Sequence, residues 1–215
     1  MMMTIKCFEC NMLQENCYIV SDDTKEAVVI DCGALWQDER QAIVNYIRQN
    51  GLTLKHVLCT HGHLDHCFGI DLLWHEFGVK PEVSRDDDFL ASHLQEQASQ
   101  MFGMQDEIEQ TPVGQYLTPN AFIRFGNHQL QVLPTPGHTP GGVFFYCAEE
   151  HVAFSGDTLF RMSIGRTDFP RGSYEQMIDS LHNVVARLPK ETRVYPGHGP
   201  QTTIQDELTY NPYFR

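Results

Sequence analysis

Three histidines and an aspartate fall within six residues, His61-Gly62-His63-Leu64-Asp65-His66, directly after the short apolar stretch His56-Val57-Leu58-Cys59 and Thr60. Imidazole nitrogen and carboxylate oxygen are donors that suit zinc and comparable divalent ions. The spacing predicts a division of labour. His61 and His63 can both point out of one turn. Asp65 and His66 begin the next helix and face elsewhere, so one short loop can serve two cations.

Three further donor candidates lie far along the chain. His138 stands in Thr135-Pro136-Gly137-His138-Thr139-Pro140, Asp157 in Ser155-Gly156-Asp157-Thr158, and His198 in Pro196-Gly197-His198-Gly199-Pro200. Each follows a predicted strand and has glycine beside or near it, as a cation closely approached by backbone requires. Any one alone reads as an ordinary turn. Together with the first cluster they supply five histidines and two aspartates, a count that suits two metal ions.

The rest of the chain reads as alternating strands and helices. Cys17–Val20 and Ala27–Ile30 are short and rich in β-branched residues, with the turn-prone Ser21-Asp22-Asp23 between them. Trp36 to Asn50 fits a helix with Trp36, Ile43 and Ile47 on one face and Gly51 at its end. Helices are also expected over Cys67–Phe77 and Asp86–Gln105. In the latter, Leu90, Leu94, Ala98 and Met101 form the buried stripe, and Asp86-Asp87-Asp88 sits at the positive end of the dipole. Strands follow at Gln129–Leu133, Val143–Cys147 and Val152–Ser155. Ser173 and Gln176 form a capping box ahead of Met177, Leu181, Val184 and Leu188, and Arg193–Tyr195 is the last strand. A loose symmetry is visible: in each half a strand ends in an acid, Asp31 or Asp157, and a later strand ends in a histidine-bearing turn.

The length of 215 residues suits one domain, 1–215. Fifteen basic against twenty-eight acidic residues give a net charge of -13, which argues against a nucleic-acid partner. No apolar run approaches a membrane span, and the opening residues lack the apolar core of a signal peptide. Seven cysteines, an odd number, are expected as free thiols, and a cytoplasmic location follows as an expectation.

The motif from His61 to His66, with His138, Asp157 and His198 in this order, resembles the metallo-β-lactamase superfamily. The resemblance implies an α/β fold, an αββα four-layer sandwich of two mixed sheets flanked by helices, with a metal site at one edge. It further implies that His61, His63 and His138 hold one metal, that Asp65, His66 and His198 hold the second, and that Asp157 bridges them. Asp65 and Asp157 are then the carboxylates at the seat of catalysis. Two divalent ions are expected, zinc first, with iron or manganese compatible. Within the superfamily, Ser155 to Phe160, Ile164 to Gly172 and Pro196 to Pro200 are similar to the short, single-domain glyoxalase-II-like group. Members of that group hydrolyse small-molecule thioesters of hydroxyacids, and the chemistry expected is attack by a metal-bridging hydroxide. Full-length members carry a C-terminal helical domain that supplies glutathione contacts, and those contacts are expected to have no counterpart in the sequence up to Arg215. A cysteine ligand, usual in true β-lactamases, is replaced here by Asp157.

Asp31 and Thr60, at neighbouring strand ends, are candidates to orient the ligands. Arg161, Arg166 and Arg171 follow Asp157 closely; Arg161 and Arg171 are candidates to attract a substrate carboxylate, whereas Arg166 reads better as an ion pair with Asp168. Cys7 and Cys10 have the spacing of a metal pair but, on a strand, point to opposite faces. The alternative activity is that of a persulfide dioxygenase, which a Gly165 to Phe169 run also resembles. It would use one iron on His61, His138 and Asp157.

Overall fold

The protein is described from a computed structural model covering residues 2–105 and 107–215. Its first sheet opens with β1 (Thr4–Cys10), β2 (Glu15–Ser21) and β3 (Glu26–Ile30), paired antiparallel in that order. Helix α1 (Gln37–Gln49) then carries the chain to β4 (Thr53–Leu58), parallel to β3. Helix α2 (Ile70–Phe77) leads to β5 (Pro81–Ser84). The short helices α3 (Asp88–Ala91) and α4 (Leu94–Phe102) precede β6 (Gln115–Leu117), and β5 and β6 continue the parallel side.

The second sheet is built from β7 (Phe122–Phe125), β8 (His128–Pro134), β9 (Val143–Cys147) and β10 (Val152–Gly156), all antiparallel neighbours. A small hairpin, β11 (Leu159–Phe160) and β12 (Ser163–Ile164), follows. Helix α5 (Tyr174–Asn183) then returns the chain to β13 (Arg193–Pro196), parallel to β10, and β14 (Thr202–Thr203) and α6 (Ile204–Tyr210) close it. The expected symmetry thus has a topological form. Both β3–α1–β4 and β10–α5–β13 are crossovers between parallel neighbours, and Asp31 and Asp157 follow the two equivalent strands.

Period-two alternation sorts the strand residues into layers. Val28 and Ile30 face the second sheet, where they meet Phe145, Phe154, Val132 and Phe125, while Ala27 and Val29 face α1 and α2. On β9, Phe145 and Cys147 point between the sheets, and Phe144 and Tyr146 point toward α5 and α6. The result is the αββα arrangement of two mixed sheets flanked by helices. No helix among the described residues is long and apolar enough to cross a membrane.

Several expectations are corrected. The helix expected from Cys67 begins at Ile70, because Leu64–His66 form a 3-10 turn that holds the metal motif. The expected Asp86–Gln105 helix is broken at Ser92 and His93, where Gln110 Oε1 accepts from the Leu94 amide and restarts the helix. Asp86, Asp87 and Asp88 do stand at a helix start, with Asp87 the residue before α3, but the Asp87 side chain makes no capping hydrogen bond. It is buried and accepts from Gly62 N, Gly141 N and Thr139 Oγ1, tying three loops together. Trp36 caps α1 and is 49% exposed rather than packed with Ile43. Met101 is 41% exposed and leaves the α4 stripe. Beyond Arg193–Tyr195 the chain still forms β14 and α6, and Tyr213 and Phe214 pack against α5. Cys7 is exposed and Cys10 buried, on opposite faces of β1.

Candidate metal centre

Every predicted donor sits just past a strand end at the same edge of both sheets. β4 leads to His61, His63, Asp65 and His66; β8 leads to His138; β10 leads to Asp157; β13 leads to His198. Two glycines make the approach possible. Gly156 has a φ of +47°, and a Cβ there would run into Thr60. A Cβ on Gly197 would collide with Asp157 Oδ1 and the His66 ring.

The donors fall into two groups that share Asp157. His61, His63 and His138 form one, their rings 4.7–4.9 Å apart, with His63 Nδ1 2.9 Å from His138 Nε2 and His138 Nε2 3.6 Å from Asp157 Oδ2. Asp65, His66 and His198 form the other: Asp65 Oδ2 is 3.6 Å from His66 Nε2 and 3.3 Å from His198 Nε2. Asp157 Oδ1 lies 3.3 Å from His66 Nε2, and Asp157 Oδ2 lies 3.7 Å from His198 Nε2.

Four imidazoles are held in one orientation by their outer nitrogens. Nδ1–H of His198 donates to Leu13 O at 3.0 Å, that of His138 to Arg166 O at 2.7 Å, and that of His66 to Asp31 Oδ2 at 3.0 Å. The Thr60 hydroxyl donates to Asp31 Oδ2 at 2.7 Å and accepts from His61 Nδ1 at 3.1 Å. A carbonyl or carboxylate acceptor demands a proton on Nδ1, so Nε2 faces inward and carries the lone pair whenever the ring is neutral. Asp31 and Thr60 therefore lie where ligand-orienting groups belong, locked together by Thr60 N to Asp31 Oδ1 at 2.7 Å.

The residues fit a metal pair. His61 Nε2, His66 Nε2 and Asp157 Oδ1 are buried with no hydrogen-bond partner, an arrangement costly for polar atoms that nothing ligates. Burial, with His66 and His63 nearby, holds His61 well below the usual imidazole range. Burial and His138 bring His63 down to about 3. Both are therefore neutral donors at physiological pH. Burial opposes charge on His66, yet Asp157, Asp65 and Asp31 raise its pKa. Burial likewise opposes charge on Asp157, and His66 overrides it, holding the carboxyl well below its ordinary range. Without a cation the carboxylates draw protons onto His66; a divalent ion competes for the same lone pair.

The structure places the three arginines in different surroundings. Arg161 lines a separate cavity with Arg193 and Tyr210, and the Arg171 guanidinium stacks 4.0 Å from the Phe89 ring. Arg166 lines the metal-facing cavity and pairs with Asp168 through two hydrogen bonds of 2.6 and 2.7 Å. Sequence reasoning missed four supporting residues. Asn16 Nδ2 donates to Pro196 O at 3.0 Å and Gly199 O at 2.9 Å, straddling the His198 turn. Asn11 Nδ2 donates to Asp65 O at 2.8 Å. Gln97 accepts from Leu64 N and donates to Gly62 O. Glu15 is fully buried beside His66, and that burial pushes its carboxyl well above the usual range. The ligand-like turn at Pro196 to Pro200 was the available signal; nothing local marked its partners.

Two face-to-face mixed sheets thus bring seven His and Asp residues together at one edge, a set that could hold metal ions. The chain belongs to the metallo-β-lactamase superfamily, which it matches over residues 10–198. It is 38% identical to the hydroxyacylglutathione hydrolase GloC of Haemophilus influenzae across 98% of each chain. Among solved structures it resembles the BLEG-1 B3 metallo-beta-lactamase, with a TM-score of 0.89, 32% identity and 98% and 99% coverage. It also resembles TTHA1623 in a di-iron-bound form, with a TM-score of 0.83, 34% identity and 97% and 99% coverage.

Proposed function

We propose that the protein is a dinuclear metallohydrolase that cleaves a hydroxyacyl thioester into a hydroxyacid and a thiol. The observation that carries this reading is the inward orientation of four Nε2 lone pairs around a carboxylate, Asp157, that touches both donor groups. His61, His63 and His138 would hold one ion; Asp65, His66 and His198 would hold the other, with Asp157 between them. The donor set suits zinc, and iron or manganese are compatible. Two such ions would supply a hydroxide at neutral pH and polarise a carbonyl oxygen.

The chain's own residues set the geometry. Asp157 fixes the separation of the two donor groups, and Asp65 closes the second one. The cavity in front of them, about 420 Å³, is lined by His63, Asp65, His138, Asp157 and His198 on its floor. In the net reaction the acyl–sulfur bond breaks, the acyl carbon gains oxygen from water, and sulfur leaves as thiolate. Thiolate needs no dedicated acid, consistent with a floor made entirely of ligand candidates. The GloC relative, whose name gives a hydroxyacylglutathione as substrate, supports the thioester class.

The mononuclear iron alternative employs only His61, His138 and Asp157. It leaves the inward nitrogens of His66 and His198 and the Asp65 carboxylate without a role, so the dinuclear reading accounts for more of the site. Elemental analysis with a thioester panel tests it: about two metals per chain and chelator-sensitive hydrolysis are expected. Asp157→Ala should retain at most one metal and lose at least ~100-fold in turnover. One iron with oxygen uptake, or full activity in that variant, overturns the proposal.

A further inference from the structure

The walls of the metal-facing cavity differ sharply from its floor. Above the donors stand Leu13, Met101, Phe160, Ile164 and Phe169. Leu13, from the turn between β1 and β2, is 48% exposed, and Met101, from α4, is 41% exposed. Large apolar side chains left open around a concave, polar-floored cavity mark a surface that a ligand covers. Their origin matters too: five side chains from the β1–β2 turn, α4, the β11–β12 hairpin and the loop beyond it converge on one volume.

Charge is nearly absent from this wall. Among the described residues lining the cavity, Arg166 is the one guanidinium or ammonium. Asp168 grips it through both carboxylate oxygens, and it lies 4.4 Å from the Phe169 ring centroid. The pair is exposed and individually weak. Even so, a substrate carboxylate that displaced Asp168 would exchange one anion for another and leave the Asp168 carboxylate beside it. A second substrate carboxylate would find no free cation on the wall.

Resting on the thioester reading above, we propose that the wall selects the thiol portion of the substrate. It takes thioesters of uncharged, apolar thiols in preference to those of thiols bearing two carboxylates, such as glutathione. A hydroxyacyl head is small and polar and belongs against the donors. The thiol portion is what reaches Leu13, Met101 and the two phenylalanines. Each methylene packed there is worth about fourfold in binding.

The test holds the acyl group constant and varies the thiol, on the metal-loaded protein. The 2-hydroxyacyl thioester of benzyl mercaptan is compared with that of glutathione. Benzyl mercaptan is the poorer leaving group, so chemistry alone disfavours the expected result. At least ~10-fold higher kcat/KM for the benzyl thioester is expected. Leu13→Ser and Met101→Ser should each reduce that ratio by about threefold or more. A higher kcat/KM for the glutathione thioester, or a ratio that neither substitution moves, overturns the inference while leaving thioester hydrolysis intact. A protein that hydrolyses neither thioester overturns the thioester reading instead. Methyl NMR then decides the wall separately. The Leu13 and Met101 methyl signals should shift on titration with 4-phenyl-2-butanone, the neutral ketone analogue of a benzyl thioester, and not with S-methylglutathione. Shifts with S-methylglutathione alone, or with neither compound, sink the proposal.

Discussion

At the residue scale, the candidate centre depends on proton placement as much as on ligand identity. Thr60 is the clearest case. Its hydroxyl donates to Asp31 and accepts from His61 Nδ1, so one side chain sets the tautomer of His61 and braces the carboxylate that orients His66. Thr60→Val keeps the shape and removes both bonds. Metal affinity is expected to fall by about 10–100-fold, read by competition with a chelator, while the far-ultraviolet spectrum stays that of the parent. Unchanged affinity would mean that packing alone orients the rings. The composition of the His61 to His66 loop was legible from its sequence. Which nitrogen of each ring turns inward was not, because its acceptor is 28 residues away for His138, 35 for His66 and 185 for His198.

At the element scale, loops are tied to one another by single buried side chains. Asn16 on β2 holds the turn after β13, and Asn16 N donates to Gly197 O at 2.7 Å as well. Asn16→Ala leaves Gly199 O without its donor and is expected to cost about 1–2 kcal/mol in urea unfolding. Calorimetric titration should show one metal site weakened, the one that includes His198, and the His61, His63 and His138 site retained. Asp22 plays a similar part between the β2–β3 and β7–β8 turns. Burial works against its charge, yet hydrogen bonds from Thr24, Asn127 and His128 lower its pKa to about 2. A carboxyl lowered from 3.8 to about 2 stabilises the fold above pH 4 and loses that contribution as pH falls toward 2. The stability gap between the parent and Asp22→Asn should be about 2 kcal/mol at pH 7 and should close between pH 4 and 2. A gap that persists at low pH would place its origin in packing.

At the scale of the whole molecule, the centre exists only where the two sheets meet. Phe154 is fully buried between them, against Tyr18 at 5.3 Å and Tyr195 at 5.5 Å between ring centroids. The Tyr18 hydroxyl continues the link by donating to Pro196 O at 2.7 Å, at the base of the His198 turn. Phe154→Ala is expected to destabilise the fold by about 3–5 kcal/mol in denaturant titration. Because the sheets carry different candidate ligands, metal affinity should fall with it, although none of those residues is touched. Loss of stability with full metal affinity would show that the two sheets are positioned by other contacts.

The sequence by itself determined the candidate donors, their placement in glycine-bearing turns after strands, and the layered α/β architecture. These are local matters of residue chemistry and of period-two and period-3.6 patterning. Only the tertiary structure decided that the Asp87 side chain clasps loops, that Trp36 and Met101 face outward, that Arg161 lines a separate cavity, and that Arg171 stacks on Phe89. It also decided that the cavity wall is apolar. Each of those depends on which distant element supplies the opposing surface or the missing hydrogen-bond partner, and no periodicity within a segment encodes what packs across from it.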